Sequence, residues 1–570
     1  MAINNPYVPG DPFSYDLKWI IAKIKEHDTQ LSTLSEQIHD EIIRLLDQHD
    51  PVYWPTAADL KSSEMQAPSL AYIEGFSAAG DGGAQLYYIT SDYNDVLAAD
   101  FYLTLDGANR WAVPVILTPY VTPEMFDVAT NAADAFNYAL RTGRQVIARG
   151  VYSLDDDIIL FDNSVLDLRQ ANLDFTVALK SIRANGVTNV KILGGILTAS
   201  NTSSTHKAID VTGSDHVIID GTVVDSFGGD AFYIEDSINV TVENTIVTNC
   251  YINYFAFNSS RVAFRNIKSY GGTFRYTVQF KSCQYSTIDG AYVSEGGQNA
   301  VYISTQSTGE NPNPIINSYN VIKNCVIVDA GKNLSAIGSP AALLIDGENN
   351  IVSDIIIQNP YFDGFRTTTK NGVFSNITVE NVVTNNYLGV NARSENSVYN
   401  NIVINKSAGY GFRIYKPGNT LSNIVLTDIT NMGITLESGS DHTTMNGITL
   451  VCSTVAYNRG INISSDYVTL KNVSKIFDSA LTPSRDIGGS IEQAHADVDP
   501  GIAVNTYLRG VTFTDTRFKV TDGVVTVYRG TTPSGTWQNG DTIDFTDKFT
   551  AGYDRAIWNS GAWHNELAIS

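Results

Sequence analysis

Hydrophobic residues recur along this chain with two different periods. Between Ser14 and Gln48, Leu17, Ile24, Leu31, Ile38 and Leu45 return every seventh residue. Ile20 and Leu34 fill part of a second seam, which His27 and Glu41 interrupt. This heptad predicts a coiled-coil stem over 1–50, with an amphipathic helix packed on its own chain as the alternative. The mixture of Ile and Leu in the first column permits a trimer. Pro6, Pro9 and Pro12 make the first residues irregular, and Pro51 and Pro55 stop the helix. A β-rich module is expected over 51–123. Within it, Gly80-Asp81-Gly82-Gly83 lies between two apolar runs and reads as a hairpin turn. It is not a phosphate loop, because no helix and no Lys-Ser/Thr follows. Thr130 to Leu140 predicts a short helix, and Gly143 to Tyr152 a strand and a turn.

From about residue 165 a repeat sets the fold class. Twelve segments align, from VKILGGIL at Val190 to VTLKNVSK at Val468. Their fifth positions are Gly194, Gly221, Asn244, Asn266, Gly290, Asn324, Asp354, Asn376, Asn401, Asn423, Gly447 and Asn472. Gly, Asn and Asp are the residues that tolerate the left-handed backbone region. A period near 24 with β-branched flanks and one fixed turn position predicts a β-solenoid over 124–480. Leucine-rich repeats share the period but need a Leu framework that is absent here. A C-terminal β-rich module is expected over 481–570.

A second column alternates apolar and polar residues. Phe232, Phe255, Val278, Val301, Leu343, Phe365, Val390, Phe412, Ile434 and Ile461 are expected to point inward. The outward pairs are then Tyr233/Glu235, Ala256/Asn258, Gln279/Lys281, Tyr302/Ser304, Leu344/Asp346, Arg366/Thr368, Asn391/Arg393, Arg413/Tyr415, Thr435/Glu437 and Asn462/Ser464. Two coils are overlong, with insertions at 305–319 and 329–340. They fall on the two sides of one face and would wall a groove.

Composition narrows the function. Lys and Arg number 37 and Asp and Glu 60, a net charge of −23. That balance argues against binding nucleic acid or anionic lipid, both of which need basic patches. No apolar run is long enough for a membrane span, and no secretion signal is visible in the first sixteen residues. Cys250, Cys283, Cys325 and Cys452 lack metal spacing and read as buried free thiols. No clustered acidic loop stands out, so no metal and no cofactor is expected.

The run from Thr130 through QVIARGVY into the coils resembles the entry to the pectate-lyase-like right-handed parallel β-helix superfamily. Stem, GDGG hairpin and β-helix together resemble a bacteriophage tailspike or tail fibre. The stretch Gly535 to Ile543, with Trp558 and Trp563, is similar to a terminal module of such spikes. The resemblance implies an all-β, homotrimeric virion protein. It would attach to other virion proteins through its N-terminal region and be assembled in the host cytoplasm. It would bind, and in many members cleave, a host surface polysaccharide on the outward face of one sheet. A binding-only fibre and a bacterial polysaccharide lyase or hydrolase are the alternatives.

On that face three arginines, Arg366, Arg393 and Arg413, fall in successive coils beside Tyr415, a pattern suited to an acidic polysaccharide. A merely solvated sheet face would look similar. Gln279, Lys281, Tyr302, Asn391, Arg413 and Tyr415 are the expected substrate contacts. Hydrolysis needs two carboxyls, and Asp346 with Glu348 forms one pair if the strand continues; a surface turn there is the competing expectation. Glu437 is too far from Asp346 to pair with it within one subunit. Lyase chemistry would need a base beside positive charge that holds the developing enolate, a charge that Arg366, Arg393, Arg413 and Lys281 could supply.

Overall fold

In a computed structural model, the described residues are 51–477, 487–488, 542–544, 553–559 and 562–567. Within 51–477 the exceptions are 68, 82, 92–100, 106–108, 117, 127, 129–130, 178, 201–205, 272–275, 306–315, 333–339, 454–458 and 466–467. The heptad region, most of both overlong-coil insertions and Trp537 therefore lie outside them. The chain divides into two compact units, 1–142 and 143–570. No helix among the described residues is long and apolar enough to cross a membrane.

The first unit contains a five-stranded sheet. Its strand order is Val52–Trp54, Ser69–Ile73, Gln85–Thr90, Trp111–Val115 and Leu103–Thr104. Ser69–Ile73 and Gln85–Thr90 pair antiparallel, as the Gly-rich turn predicts. Asp81 organises that turn, because its carboxylate accepts from the backbone N–H groups of Phe76, Ser77, Ala78 and Gly83. The expected helix spans Ala132–Arg141, capped by the Asn131 side chain accepting from Asp134 N–H at 3.1 Å.

The second unit is a parallel β-solenoid. One face is a 14-stranded sheet running from Ile158–Ile159 to Ile487–Gly488. Each of its strands pairs in parallel with the strand one coil away, for example Val390 with Phe412 and Phe412 with Ile434. The corner column behaves as its residue types require. Gly194, Gly221, Asn244, Asn266, Gly290, Asn324, Asp354, Asn376, Asn401, Asn423 and Gly447 all have φ between 51° and 75°. The side-chain amides also stack from coil to coil. Asn376 donates to Asp354 at 2.8 Å, and Asn401 donates to Asn376 at 2.9 Å.

The interior is apolar and layered with aromatic rings. Phe232 stacks on Tyr254 at 5.2 Å, and Phe365, Phe374, Tyr399 and Phe412 form a second run at 4.9 to 5.2 Å. One coil corrects the predicted alternation. Tyr254, not Phe255, lies inside and is fully buried, and it pairs in register with Phe232 and Val278. Its hydroxyl reaches the Thr245 hydroxyl at 3.0 Å. The outward pair of that coil is therefore Phe255/Phe257 and not Ala256/Asn258. In Ile252-Asn253-Tyr254-Phe255-Ala256-Phe257 either parity offers apolar residues, and the Tyr254 hydroxyl finds polar partners inside, as Asn253 does at Ser269. Cys250, Cys283 and Cys325 are buried free thiols, each pushed up to about 12 chiefly by burial.

At a corner, a β-branched residue is strained and cannot continue the amide ladder. Asn376→Val should lower stability by about 1–3 kcal/mol in denaturant unfolding, and Asn376→Gly by less.

Candidate functional site

The outward positions of the 14-stranded sheet line up coil by coil. Strand to strand they read Asp210, Tyr233, Phe255, Gln279, Tyr302, Leu344, Arg366, Asn391, Arg413 and Thr435. Neighbours in such a column are ~4.8 Å apart. The residue three places earlier, where each strand begins, leans onto the same face. Lys207 pairs with Asp210, Asp363 with Arg366, and Tyr410 lies under Arg413. Thus these coils present two outward positions and one such edge residue, whereas the corresponding Asn299, Ala341 and Leu388 of other coils are buried.

Toward the N-terminal coils this face carries carboxyls and aromatic rings. Lys207 Nζ sits 3.2 Å from the Tyr233 ring centroid and 3.1 Å from Asp210 Oδ2. The Tyr233 hydroxyl donates to Glu235 Oε2 at 3.0 Å. Asp230 begins the same strand, and its carboxyl is pushed up to about 7. Burial is the main cause; the Asp210 charge raises it further, while Lys207 pulls it down. Burial and the adjacent Glu235 likewise raise the Tyr233 hydroxyl, so it stays a donor. The next coils add rings. Phe255 lies 5.4 Å from Tyr233 and 6.3 Å from Phe257, and Tyr276 stacks on Tyr302 at 4.8 Å. Lys281 Nζ lies 5.6 Å from the Phe257 ring, and Gln279 is buried with its amide donating to Ser304 Oγ at 3.3 Å.

Toward the C-terminal coils a second network joins most of the expected site residues. Arg366 is nearly buried and donates through Nε and Nη2 to Asp363 Oδ2, at 3.0 and 2.5 Å. The same oxygen accepts from Asn391 Nδ2 at 2.8 Å, and Asp363 Oδ1 accepts from Leu388 N–H at 2.9 Å. Asn391 Oδ1 in turn accepts from Arg393 Nε at 3.4 Å. Arg393 and Arg413 each place their guanidinium 5.0 Å from the Tyr415 ring centroid. Arg413 also holds Glu437 Oε1, with Nε at 2.6 Å.

Asp346 and Glu348 stand apart from both networks. The strand Ala341–Glu348 runs through both residues, and Gly347 at φ +108° interrupts its regular geometry, so the turn comes only at Asn349. Asp346 accepts from Thr368 Oγ1 at 2.9 Å and from Thr305 N–H at 3.2 Å, which holds it to its neighbouring coils. On another face, a groove of about 470 Å³ is lined by Val151, Asn172, Asp174, Ile196, Thr198 and Asp225, among others. Asp174 there accepts from Thr198 and Ser200, and Asp225 from Thr248 and Asn249, so its acids are engaged. No group of three or more His, Cys, Asp or Glu among the described residues is placed to hold a metal ion.

Sequence reasoning passed over Asp210 and Asp230 and gave Glu235 as an outward position. The usable signal is the column three residues before the outward position. As far as the Thr435 coil, its charged and tyrosine members are Lys207, Asp230, Tyr276, Asp363 and Tyr410.

Two outcomes follow. Asp230 titrates near 7 in the fold against an ordinary 3.8, so the folded chain holds that proton more tightly between these values. Folding stability should therefore fall as pH rises from about 4 to about 7. Asp230→Asn should remove that fall and raise the unfolding midpoint at pH 8, read in thermal melts at pH 5 and pH 8. Arg366→Ala should cost about 3 kcal/mol or more in denaturant unfolding, because it leaves Asp363 buried and unpaired.

No family model and no curated protein matches this sequence. Among solved structures, the chain is similar to tailspike protein 3 of bacteriophage CBA120. That match has 14% identity and a TM-score of 0.44, and it covers 82% of this chain and 72% of that one. It is similar to the gp42 tailspike of Acinetobacter phage vb_AbaP_AS12, at 13% identity and TM-score 0.37, over 89% of this chain and 82% of that one. It is also similar to the catalytic domain of a GH87 α-1,3-glucanase, at 13% identity and TM-score 0.36, over 68% and 73%. The assignment of a parallel solenoid rests on this chain's own strand register.

Proposed function

We propose that this chain is a virion spike or fibre protein that binds and depolymerises a host surface polysaccharide. The substrate would lie along the outward face of the 14-stranded sheet. One observation carries the reading: the Asp230 carboxyl, pushed up to about 7, lies within electrostatic reach of Asp210 and on the same strand as Tyr233 and Glu235, next to a track of partly exposed rings. Aromatic faces on a rigid sheet are platforms for the apolar faces of sugar rings. A protonated carboxyl beside a second carboxyl is the arrangement that glycoside hydrolysis needs.

In this reading Asp230 gives its proton to the leaving glycosidic oxygen as the C1–O bond breaks. Asp210 or Glu235 is the second carboxyl. If the two carboxyls are far apart, it takes a proton from a water whose oxygen bonds to C1. If they are close, it bonds to C1 itself, and water later releases the sugar. Tyr233 and Lys207 position the carboxyls through their contacts with Glu235 and Asp210. Asp346 with Glu348 is the alternative pair. The assembly would be a homotrimer built on the heptad stem, attached to the virion through the N-terminal region.

The test uses purified protein and surface polysaccharides from candidate hosts, read by chromatography with light scattering. A trimer mass and falling polymer size are expected. Asp230→Asn should bind the polymer without shortening it, while Asp346→Asn should cleave normally. Polymer bound but left intact by the wild-type protein would make this a receptor-binding fibre instead. A stable monomer that binds no polymer would remove the spike reading altogether.

A further inference from the structure

The Arg–Tyr network at the C-terminal coils has one cation too many. Two guanidiniums flank a single ring, that of Tyr415, each 5.0 Å from its centroid. Arg413 is neutralised by Glu437 and is further stacked on Tyr410 at 5.3 Å. Arg393 is exposed, and among the described residues no carboxylate lies within ion-pair distance of it. Glu395, two residues further along the chain, accepts from its own neighbour Asn396.

The guanidinium is nevertheless held in place. Tyr415 supports its plane and Asn391 Oδ1 takes its Nε–H. Asn391 is itself anchored to Asp363 inside the buried Arg366 pair. Among the described residues the two terminal nitrogens of Arg393 have no hydrogen-bond partner, and they form the fork that meets a planar carboxylate with two parallel hydrogen bonds. Because the side chain is positioned before a ligand arrives, little rotamer entropy is lost on binding.

We propose that Arg393, on the Tyr415 ring, is a subsite for a carboxylate-bearing sugar, so that the polysaccharide is an acidic one. This rests on the reading of the sheet face as a polysaccharide-binding surface. Arg366 has no part in the contact, since Asp363 takes up its charge. The subsite is six coils from the strand of Asp230, or ~29 Å at ~4.8 Å per coil, so a ligand must be an extended oligosaccharide to occupy both.

The probes are oligosaccharides of glucuronate and galacturonate, the same oligosaccharides with each carboxyl reduced to a hydroxymethyl group, and host surface polysaccharide. Wild-type protein should bind an acidic probe roughly tenfold or more tightly than its reduced form, and the advantage should shrink with salt. Arg393→Gln should abolish that difference while binding the reduced form as wild type does. Arg393→Lys, which keeps charge but not the fork, should restore only part of it. Thermal melts should place both variants at the wild-type midpoint, because the side chain is exposed. Equal wild-type binding of acidic and reduced forms, or an unchanged preference in Arg393→Gln, would overturn the subsite and leave the polysaccharide reading standing. If no acidic, reduced or host polymer binds, the polysaccharide reading fails, and the subsite with it.

Discussion

Everything in the solenoid depends on one repeated corner. At each coil the chain must turn through the left-handed region, which β-branched residues avoid and Asn, Asp and Gly accept. The Asn side chains then serve a second purpose, handing an amide hydrogen to the corner of the coil before. Each bond contributes on the order of 1 kcal/mol net. Repeated along the rod, the ladder makes the corners of successive coils superpose. A one-residue slip would send every inward side chain out and every outward one in. Superposed corners are thus what allow residues some twenty positions apart in sequence to stand as neighbours on a face.

The 14-stranded sheet uses that alignment twice, with opposite chemistry. At the N-terminal coils it gathers carboxyls, of which Asp230 holds its proton to near neutrality because burial and Asp210 both disfavour the charge. At the C-terminal coils it gathers guanidiniums. There the buried Asp363–Arg366 pair acts as a frame, since Asp363 also fixes Asn391 and the backbone of Leu388. The frame is internal, and the residues it orients are the accessible ones. This division explains why three arginines in successive coils have three different situations: Arg366 is buried in an ion pair, Arg413 is paired at the surface, and Arg393 has no carboxylate partner among the described residues.

The coil pattern was legible because corner residues are chosen by backbone strain, which leaves few acceptable types. The same reading located the outward column correctly in nine of ten coils and failed at Phe255. There three aromatic residues in four positions satisfy either parity, and the deciding contact, Tyr254 to Thr245, is made across the interior to a residue nine positions earlier, between two strands. The site was less legible. The outward arginines and Tyr415 could be found from period-two alternation, but that period ignores the edge residue where each strand begins. Asp230 sits in Phe227-Gly228-Gly229-Asp230, which reads as a turn, and its partners Lys207 and Asp210 come from the coil before. Their proximity is a property of stacking and leaves no motif with a fixed spacing.

The distance between the two networks has its own consequence. In a solenoid each coil touches only the coils beside it, so a disturbance fades within a few steps. Groups ~29 Å apart along such a rod share no partners, and changes at one should add to changes at the other with little interaction. Recognition and bond-breaking, if housed in the two networks, would then be separately inheritable. A lineage could exchange the coils around Tyr415 to follow a new surface chemistry while leaving the acid at Asp230 untouched, in the way a lathe keeps its drive when the chuck is changed.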